Sequence, residues 1–367
     1  MIPLNKPGHS IQVGEMVDYL ALQFPNKYIT YCFTAGDCLN LLYKHLYEQR
    51  GAMRIGVSPL TCYQAILPII YNGHTPILLD IDKSTLNINT THMEQWPEMD
   101  AIEVIHLGGN PCDMNAVMAY AESHNLMVIE DCAQALGVRS HGSLCGSFGD
   151  YAVFSTLKNI YQPGGILVSN EHISSPMGKI SSVVKIYKFI KDRLEGWCNH
   201  RKYNIWNPIY KALLTYRSKE SLFANTMRAL PQDLCEHIQL TLPIIDELND
   251  LRIRHYQTYL TRLHNSQIHI VENNGSANRV FLLCDKPKAN DYINILRSKG
   301  IAANNLTQSY LNGYQKPIWE VPELAPFFVA EQLHNYTSIY NRIIAIPNSP
   351  YLTNDEIDYI IQTINSL

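Results

Sequence analysis

The sequence predicts an α/β protein in which helices cover both faces of a mostly parallel sheet, followed by a smaller α+β domain. Three observations support this prediction. Short apolar runs alternate with helical stretches between about residues 30 and 170. Several of these runs are apolar throughout, which is typical of strands buried on both faces of a parallel sheet. The last third of the chain mixes strand and helix patterns in a different rhythm.

The predicted strands of the large domain end in polar or glycine-rich turns. Functional sites in parallel sheets gather at the carboxyl ends of the strands, so these turns are the first place to look for chemistry. The apolar runs occupy residues 54–59, 75–81, 102–109, 126–131, 151–156 and 165–170.

The chain after Pro231 predicts the smaller domain. A long helical pattern runs to about residue 264, a strand follows over 278–284, and a helix over 291–300 ends at a glycine. Thr353 and Glu356 form a T-x-x-E capping box before a final helix. We therefore expect a large domain over residues 1–234 and a small C-terminal domain over 235–367.

Composition and charge agree with a folded protein that does not bind nucleic acid. The 367 residues exceed the roughly 100–200 of one typical domain. Hydrophobic residues make up 46% and charged residues 17%, which is too apolar for a disordered chain. The net charge of −4 and the sequence pI near 6.4 give no overall basic field.

Cysteine usage and the N-terminal residues favour the cytoplasm. Nine cysteines are scattered without a CxxC pair or metal-ligand spacing, which predicts reduced thiols and no metal site. The first ten residues lack an apolar signal core, and no run approaches the roughly 18 apolar residues of a membrane span. We expect a cytoplasmic protein that is neither exported by that route nor integral to a membrane.

A basic stretch over about residues 176–230 separates the predicted strands from the C-terminal part of the chain. It carries eleven lysines and arginines against three acids, a local charge of +8. Apolar residues at helical spacing over 180–194 predict an amphipathic helix with a basic face. The helix is interpreted as a surface or subunit-contact element, as an electrostatic site for an anionic substrate, or, less in keeping with the sequence, as a contact to a membrane surface.

One pair of residues points to chemistry. Asp131 ends a predicted strand, and Lys158 follows a later one, 158 − 131 = 27 positions on. Such a pair by itself also fits a structural salt bridge. Nearby, His106 precedes two glycines and is interpreted as a structural histidine or a substrate contact, and Cys132 as a buried side chain.

The stretches around this pair resemble the DegT-type (DegT/DnrJ/StrS) sugar aminotransferases, which are pyridoxal-phosphate enzymes with the aspartate-aminotransferase fold (fold type I). The resemblance covers most of the chain. It is carried by IPLNKP followed by Glu15, and by the stretches over residues 33–42, 58–65, 78–89, 106–114, 128–137, 146–170 and 344–358. It implies a three-layer α/β/α large domain around a mostly parallel sheet.

The resemblance assigns roles around the cofactor ring. Lys158 is implied to link to the aldehyde of pyridoxal 5'-phosphate and, once an amino donor displaces it, to act as the catalytic base. Asp131 is implied to contact the pyridine nitrogen and keep it protonated, so that the ring accepts electrons. Gln134 would reach the phenolic oxygen, and Ala133 would give the ring a small surface to rest on.

The cofactor phosphate has its own implied partners. The Ser155 hydroxyl would bind it together with the backbone N–H groups of Ala35 and Gly36, where they lead into a helix expected to start near Asp37. Gly164 and Gly165 would turn the backbone tightly beside the cofactor, or form a plain turn.

The sequence departs from the family pattern at several positions. The Asp37 carboxylate would repel a phosphate, so we expect it to point away and cap the helix. The family's ring-stacking aromatic is replaced by Cys62, which leaves Tyr63 as the stacking residue. The segment from Ser155 to Lys158 is two residues shorter than in many relatives. The family's partner-subunit Asn and Arg correspond to the candidates Asn225 and Arg228.

The resemblance implies an aminotransferase that acts on a nucleotide-linked keto sugar, with glutamate or glutamine as amino donor, in polysaccharide or glycoconjugate biosynthesis. It also implies a homodimer. Two alternatives remain. One is a sugar dehydratase of the same family, which would carry histidine in place of Lys158. The other is a catalytically silent or regulatory cofactor-binding relative, suggested by Asp37, Cys62 and the shortened segment.

Overall fold

A computed structural model describes residues 19–174, 227, 229–306 and 317–367, apart from the side chain of Tyr63. Glu15 and the IPLNKP motif, Asn225, Arg228 and nearly all of the basic stretch lie outside the described residues. The described strands are β1 (Tyr28–Cys32), β2 (Arg54–Val57), β3 (Thr75–Leu78), β4 (Ala101–Ile105), β5 (Met127–Cys132), β6 (Arg139–Ser140), β7 (Ser143–Leu144), β8 (Tyr151–Ser155), β9 (Gly165–Ser169), β10 (Ile268–Ile270), β11 (Val280–Cys284), β12 (Asn304–Asn305) and β13 (Ile343–Ile346). The described helices are α1 (Tyr19–Gln23), α2 (Ala35–Arg50), α3 (Tyr63–Tyr71), α4 (Met114–His124), α5 (Thr156–Asn159), α6 (Gln232–Thr241), α7 (Ile245–Arg262), α8 (Ala289–Ser298), α9 (His334–Ser338) and α10 (Asn354–Asn365).

The larger of the described sheets has the strand order β1-β9-β8-β5-β4-β2-β3. All pairs from β8 to β3 are parallel, and β9 runs antiparallel to both of its neighbours. The predicted mostly parallel sheet is therefore confirmed. Strands β4, β5, β8 and β9 are buried along their whole length, as their continuous apolar runs predict.

Strand β1 was missed by the sequence analysis. It closes the edge of the sheet, and its residues are mostly half-exposed, so its sequence YITYC has neither an apolar run nor a clean alternation. Its pairing with β9 places Cys32 opposite Gly165, which in turn lies opposite Ser155 of β8. The edge strand thereby leads into helix α2 beside the end of β8.

The second sheet is antiparallel, with the order β10-β11-β13-β12. Apolar residues of helices α7, α8 and α10 pack with it in one core cluster. The capping box at the start of α10 is confirmed, because Thr353 and Glu356 make both of its reciprocal hydrogen bonds. We retain the division into residues 1–234 and 235–367 as a proposal.

The long helix predicted after Pro231 is wrong in one respect. Helix α6 gives way to a 3-10 turn over Leu242–Ile244, and α7 begins at Ile245. Pro243 lies inside this turn and has no backbone N–H to donate, which interrupts the α-helical ladder. Among the described helices, none has the length and hydropathy required to cross a membrane.

Gly165 is needed because two backbones meet at this position. A Cβ added there would lie 2.3 Å from the carbonyl carbon and oxygen of Thr34 and 2.5 Å from the Ala35 nitrogen. No side-chain rotation relieves a clash with backbone atoms, so the start of α2 would have to move away from β9.

We predict that Gly165→Ala lowers the free energy of unfolding by more than about 2 kcal/mol, measured by denaturant titration. Gly36→Ala is the matched control, since its Cβ would meet Gln64 at an ordinary 3.5 Å. Equal losses for the two variants would contradict the close-approach explanation.

Candidate active site

Strands β5 and β8 end side by side. Their parallel register sets Asp131 opposite Val153 and Cys132 opposite Phe154. Helix α5 begins directly after β8 and carries Lys158 in its single turn. The acid and the lysine, 27 positions apart in the sequence, therefore meet at one edge of the sheet.

Asp131 is a buried carboxylate with little compensation from the protein. Its side chain is 7% exposed, and Oδ1 accepts a hydrogen bond from the Ala133 N–H at 2.8 Å. Burial raises the pKa of Asp131, while the positive charge of Lys158 and the Ala133 hydrogen bond act against the rise. No basic group among the described residues lies within 4.0 Å of it as an ion-pair partner. The site thus presents a carboxylate suited to a cationic hydrogen-bond donor.

The backbone of the lysine segment is anchored by amide side chains. Asn278 Nδ2 donates to the Lys158 carbonyl at 3.0 Å. Asn159 Nδ2 donates to the carbonyls of Ala133 and Ser155, at 3.0 and 2.7 Å. These contacts tie α5 both to the end of β5 and to the segment before β11. The sequence analysis missed both asparagines, because an amide side chain carries no signal of its long-range partner.

A buried arginine binds the backbone of Asn159. Arg252 of α7 is fully buried and donates to the Asn159 carbonyl and to Asn249 Oδ1. Asn249 Nδ2 in turn donates to the Leu136 carbonyl at 2.9 Å. Helix α7 therefore connects the loop after β5 with the lysine segment.

Gln134 lies over the turn that follows β4. Its Oε1 accepts a hydrogen bond from the Gly108 N–H at 3.2 Å, which leaves its Nε2 as the group that can donate to a ligand. Ala133 is 4% exposed and adds only a methyl group beside Asp131. Both predicted residues lie in the loop directly after β5.

Helix α2 begins two residues earlier than predicted, at Ala35 rather than near Asp37. Thr34 is its N-cap, and its Oγ1 accepts from the Asp37 N–H at 3.1 Å. The Thr34 hydroxyl donates to Asp37 Oδ2 at 2.6 Å, so the buried carboxylate is directed back at the cap. The expectation that Asp37 caps the helix is wrong, because Thr34 is the N-cap and Asp37 lies in the first turn with its carboxylate bonded to Thr34.

The start of α2 lies close to the predicted phosphate ligand Ser155. Gly165 pairs with Ser155 and approaches the Thr34–Ala35 backbone, so the serine and the helix N-terminus share one corner. The first N–H groups of the sixteen-residue α2, including those of Ala35 and Gly36, have no partner within the helix. Such a terminus binds anions.

Cys62 and Tyr63 lie at the start of helix α3, beside the start of α2. Tyr63 is the first residue of that helix, and its side chain is outside the described part of the chain. Burial raises the pKa of the Cys62 thiol, while the nearby charge of Lys158 acts against the rise. Cys62 therefore lies close to the lysine as a neutral thiol.

His106 and Glu130 form a buried pair behind the site. His106 Nε2 contacts Glu130 Oε2 at 3.1 Å, and its Nδ1 accepts from the Cys112 N–H at 3.1 Å. Both ring nitrogens are thereby used within the core, which corresponds to the structural interpretation of His106. Glu130 also accepts three backbone N–H groups, at 2.7–2.8 Å, from Gly146, Phe148 and Gly149.

Comparison with known proteins shows which family the chain is similar to. Residues 26–180 match the sequence model of the DegT/DnrJ/EryC1/StrS aminotransferase family. Over these residues the chain resembles that family. The expected resemblance is thus confirmed, and with it an aminotransferase as the class of enzyme.

Several relatives of this family align over most of the chain. A dTDP-3-amino-3,6-dideoxy-alpha-D-galactopyranose transaminase from Aneurinibacillus thermoaerophilus is 25% identical over 98% of this chain and 91% of its own length. A UDP-N-acetyl-3-dehydro-alpha-D-glucosamine 3-aminotransferase from Acidithiobacillus ferrooxidans is 27% identical over 91% of this chain and 82% of its own.

Solved structures of the family share the fold. The sugar aminotransferase CalS13 from Micromonospora echinospora superposes with a TM-score of 0.73 at 20% identity, covering 100% of both chains. The PLP form of Spr1654 from Streptococcus pneumoniae superposes with a TM-score of 0.69 at 18% identity, over 95% of this chain and 88% of that one. The expected fold-type-I architecture is confirmed.

The raised pKa of Asp131 gives a prediction for the cofactor-free protein. The folded state binds the Asp131 proton more tightly than the unfolded state, so ionising this group lowers stability as pH rises from about 3.9 through the folded pKa. The Asp131→Asn variant has no such group to ionise and would escape this loss. It should therefore gain stability relative to the wild type as pH rises from about 3.5 to 7, measured by denaturant unfolding across that range.

Asp113→Asn is the control. Asp113 is an exposed helix N-cap, a position at which asparagine also caps, so this variant measures how the loss of a surface carboxylate changes the unfolding free energy at each pH. Unfolding curves of wild type and Asp131→Asn that differ by the same amount at every pH would contradict the prediction.

Glu130→Gln should behave in the opposite way. Both carboxylate oxygens of Glu130 accept backbone N–H groups, so the NH2 group of the new glutamine would face at least one N–H donor in either orientation. We therefore expect a loss of about 3 kcal/mol or more in unfolding free energy at pH 7. Glu122→Gln on the exposed side of α4 is the control and should change it by less than about 0.5 kcal/mol. A similar small change in both variants would count against the hydrogen-bond argument.

Proposed function

We propose that this protein is a pyridoxal-phosphate-dependent aminotransferase that moves an amino group from glutamate or glutamine to a nucleotide-linked keto sugar. The observation that carries the proposal is the pairing of a buried carboxylate that lacks an ionic partner, Asp131, with Lys158 at neighbouring strand ends.

The donor groups fit the cofactor. A protonated pyridine nitrogen would give Asp131 the cationic partner that the described protein does not supply. The N-terminus of α2 and the Ser155 hydroxyl offer the phosphate a corner of N–H and O–H donors, while the Asp37 carboxylate accepts from the Thr34 hydroxyl at the same helix N-terminus. Pyridoxal phosphate, when bound, supplies an electron-accepting ring that stabilises negative charge on the substrate carbon.

Each side chain then has one task. Asp131 would keep the proton on the ring nitrogen. Lys158 would hold the cofactor, and its amine would act as the base that moves the substrate proton. Asn159 and Asn278 bind the backbone of the lysine segment, which would leave the Lys158 side chain as the moving part. Gln134 Nε2 would donate to the phenolic oxygen and Ala133 would leave room for the ring, and we retain Tyr63 as the predicted stacking residue.

The sugar substrate is proposed from the relatives and from charge. The relatives named above act on dTDP- and UDP-linked sugars. A spore coat polysaccharide biosynthesis protein of Bacillus subtilis, 25% identical over 84% of this chain and 78% of its own length, suggests polysaccharide or glycoconjugate synthesis. The +8 basic stretch suits a diphosphate. We further propose a cytoplasmic homodimer in which Asn225, with Arg228 as a second candidate, reaches the site of the other subunit.

A silent or regulatory relative is the second candidate. Cys62, close to Lys158, stands where an aromatic ring is implied, and a pleiotropic regulatory protein of Geobacillus stearothermophilus is 25% identical over 80% of this chain and 72% of its own. Lys158 itself argues against a dehydratase.

The visible absorption spectrum with added pyridoxal phosphate tests the proposal. We expect a band that requires Lys158 and that glutamate or glutamine converts to the amino form of the cofactor. Lys158→Ala should lower this conversion by at least about 10²- to 10⁴-fold without changing the thermal unfolding temperature. Lys83→Ala, an exposed lysine before the 3-10 turn at residue 90, is the control.

A Lys158-dependent band that no amino donor converts would favour the silent or regulatory relative. The absence of any Lys158-dependent band would refute cofactor binding itself.

A further inference from the structure

Arg279 is a buried cation, and two of its nitrogens have no hydrogen-bond partner among the residues that the structure describes. Its side chain is 6% exposed, and these two nitrogens, Nε and Nη1, are shielded from solvent. Among the residues that the structure describes, no carboxylate forms an ion pair with it. Ser276, three positions earlier, is 2% exposed, and its hydroxyl has no partner either.

These two groups are energetically unfavourable in the free protein. A buried polar group that loses its water without gaining a partner costs free energy, and a charged group costs more. Arg252 is the contrasting case, since it is equally buried but donates to the Asn159 carbonyl and to Asn249 Oδ1. Arg252 therefore has a structural role, whereas Arg279 and Ser276 have donors available for an anion.

The segment that carries Arg279 is fixed against the active site. The neighbouring Asn278 donates to the carbonyl of Lys158, and the Arg279 N–H donates to the Gly108 carbonyl at 3.2 Å. The Gly108 N–H in turn donates to Gln134. Arg279 is thus the sequence neighbour of a residue that binds the Lys158 carbonyl. Its own backbone is connected to Gln134 through Gly108.

Ser276 reaches the same turn. A Cβ on Gly109, which has φ +75°, would lie 2.3 Å from Ser276 Oγ and 2.9 Å from the Gln134 carbonyl oxygen. Only glycine at position 109 allows this approach. The unpartnered hydroxyl therefore lies beside the loop that follows β5.

We propose that Arg279, assisted by Ser276, binds a carboxylate of the amino donor. This inference rests on the proposed function. An amino-acid donor carries a carboxylate on the carbon whose proton Lys158 moves, and glutamate carries a second one a few bonds away. The phosphates of a nucleotide-linked sugar lie several bonds further from the reacting carbon than the α-carboxylate of an amino acid does. A cation tied to the lysine segment is therefore better placed for the amino donor than for the diphosphate.

The test compares wild type with Arg279→Met in the conversion of the cofactor-loaded enzyme by glutamate, by glutamine and by glutamate 1-amide. Glutamine lacks the side-chain charge, and glutamate 1-amide lacks the α-carboxylate charge. Arg279→Met should raise the half-saturating glutamate concentration about 10- to 100-fold and change the rate at saturation by only a few-fold. It should also abolish the wild-type preference for glutamate over one of the two amides, which identifies the carboxylate bound.

Controls separate binding from structure. Arg279→Met should not lower the thermal unfolding temperature of the cofactor-free protein, because it removes an uncompensated buried charge, and a structural arginine would lower it. Arg279→Lys should recover part of the glutamate affinity. Arg254→Met removes an exposed arginine of α7 and should leave glutamate half-saturation within about twofold.

Two results would overturn the inference. One is an unchanged glutamate half-saturation in Arg279→Met. The other is a weakened affinity for UDP, dTDP or GDP with unchanged glutamate affinity, which would assign Arg279 to the diphosphate.

The inference remains testable if the proposed function fails or if Arg279→Met does not fold. Wild type that shows a Lys158-dependent band but no conversion by any donor contradicts the proposed function alone. Carboxylate binding is then read from thermal stabilisation by glutarate compared with its neutral diamide, in wild type and in Arg279→Lys. Equal stabilisation of the wild type by both compounds would refute a carboxylate site.

Discussion

The parallel pairing of β5 with β8 is the constraint on which the rest of the site depends. It brings Asp131 to the strand end beside Lys158, and it fixes the corner where Ser155 meets the start of α2 through Gly165. A one-residue shift in this register would turn each side chain to the opposite face of the sheet. The glycine at 165 allows α2 to lie close to β9, because any larger residue would force the two apart.

The protein compensates the burial of two adjacent carboxylates to different extents. Glu130 accepts three backbone N–H groups and contacts His106, so the protein fully compensates its burial. Asp131, the next residue, is compensated by one backbone N–H and by the charge of Lys158. Because neighbouring residues of a strand point to opposite faces, one carboxylate supports the core while the other remains available to a ligand. Stability and the capacity to bind are thus assigned to different faces of one strand.

The two buried arginines repeat this division in the C-terminal part of the chain. Arg252 uses its donors to hold Asn159 and Asn249, and thereby the loops after β5 and β8. Arg279 keeps donors free beside the same loops. The segment before β11 consequently contributes to the site. Through Asn278 it fixes the lysine segment, and through Arg279 it offers that segment a charge for the substrate.

The sequence by itself determined the mostly parallel sheet, the capped final helix and the resemblance to the aminotransferase family. Fully buried strands leave continuous apolar runs, and the motif around Asp131, Gln134 and Lys158 is contiguous enough to be recognised. Tertiary structure decided what lies between distant positions. The bond from Asn278 to Lys158 joins residues 120 positions apart, and that from Asn249 to Leu136 joins residues 113 apart. The edge strand β1 and the donors of Arg279 that lack a partner among the described residues were equally invisible, because each is defined by its neighbours in space and not by local sequence.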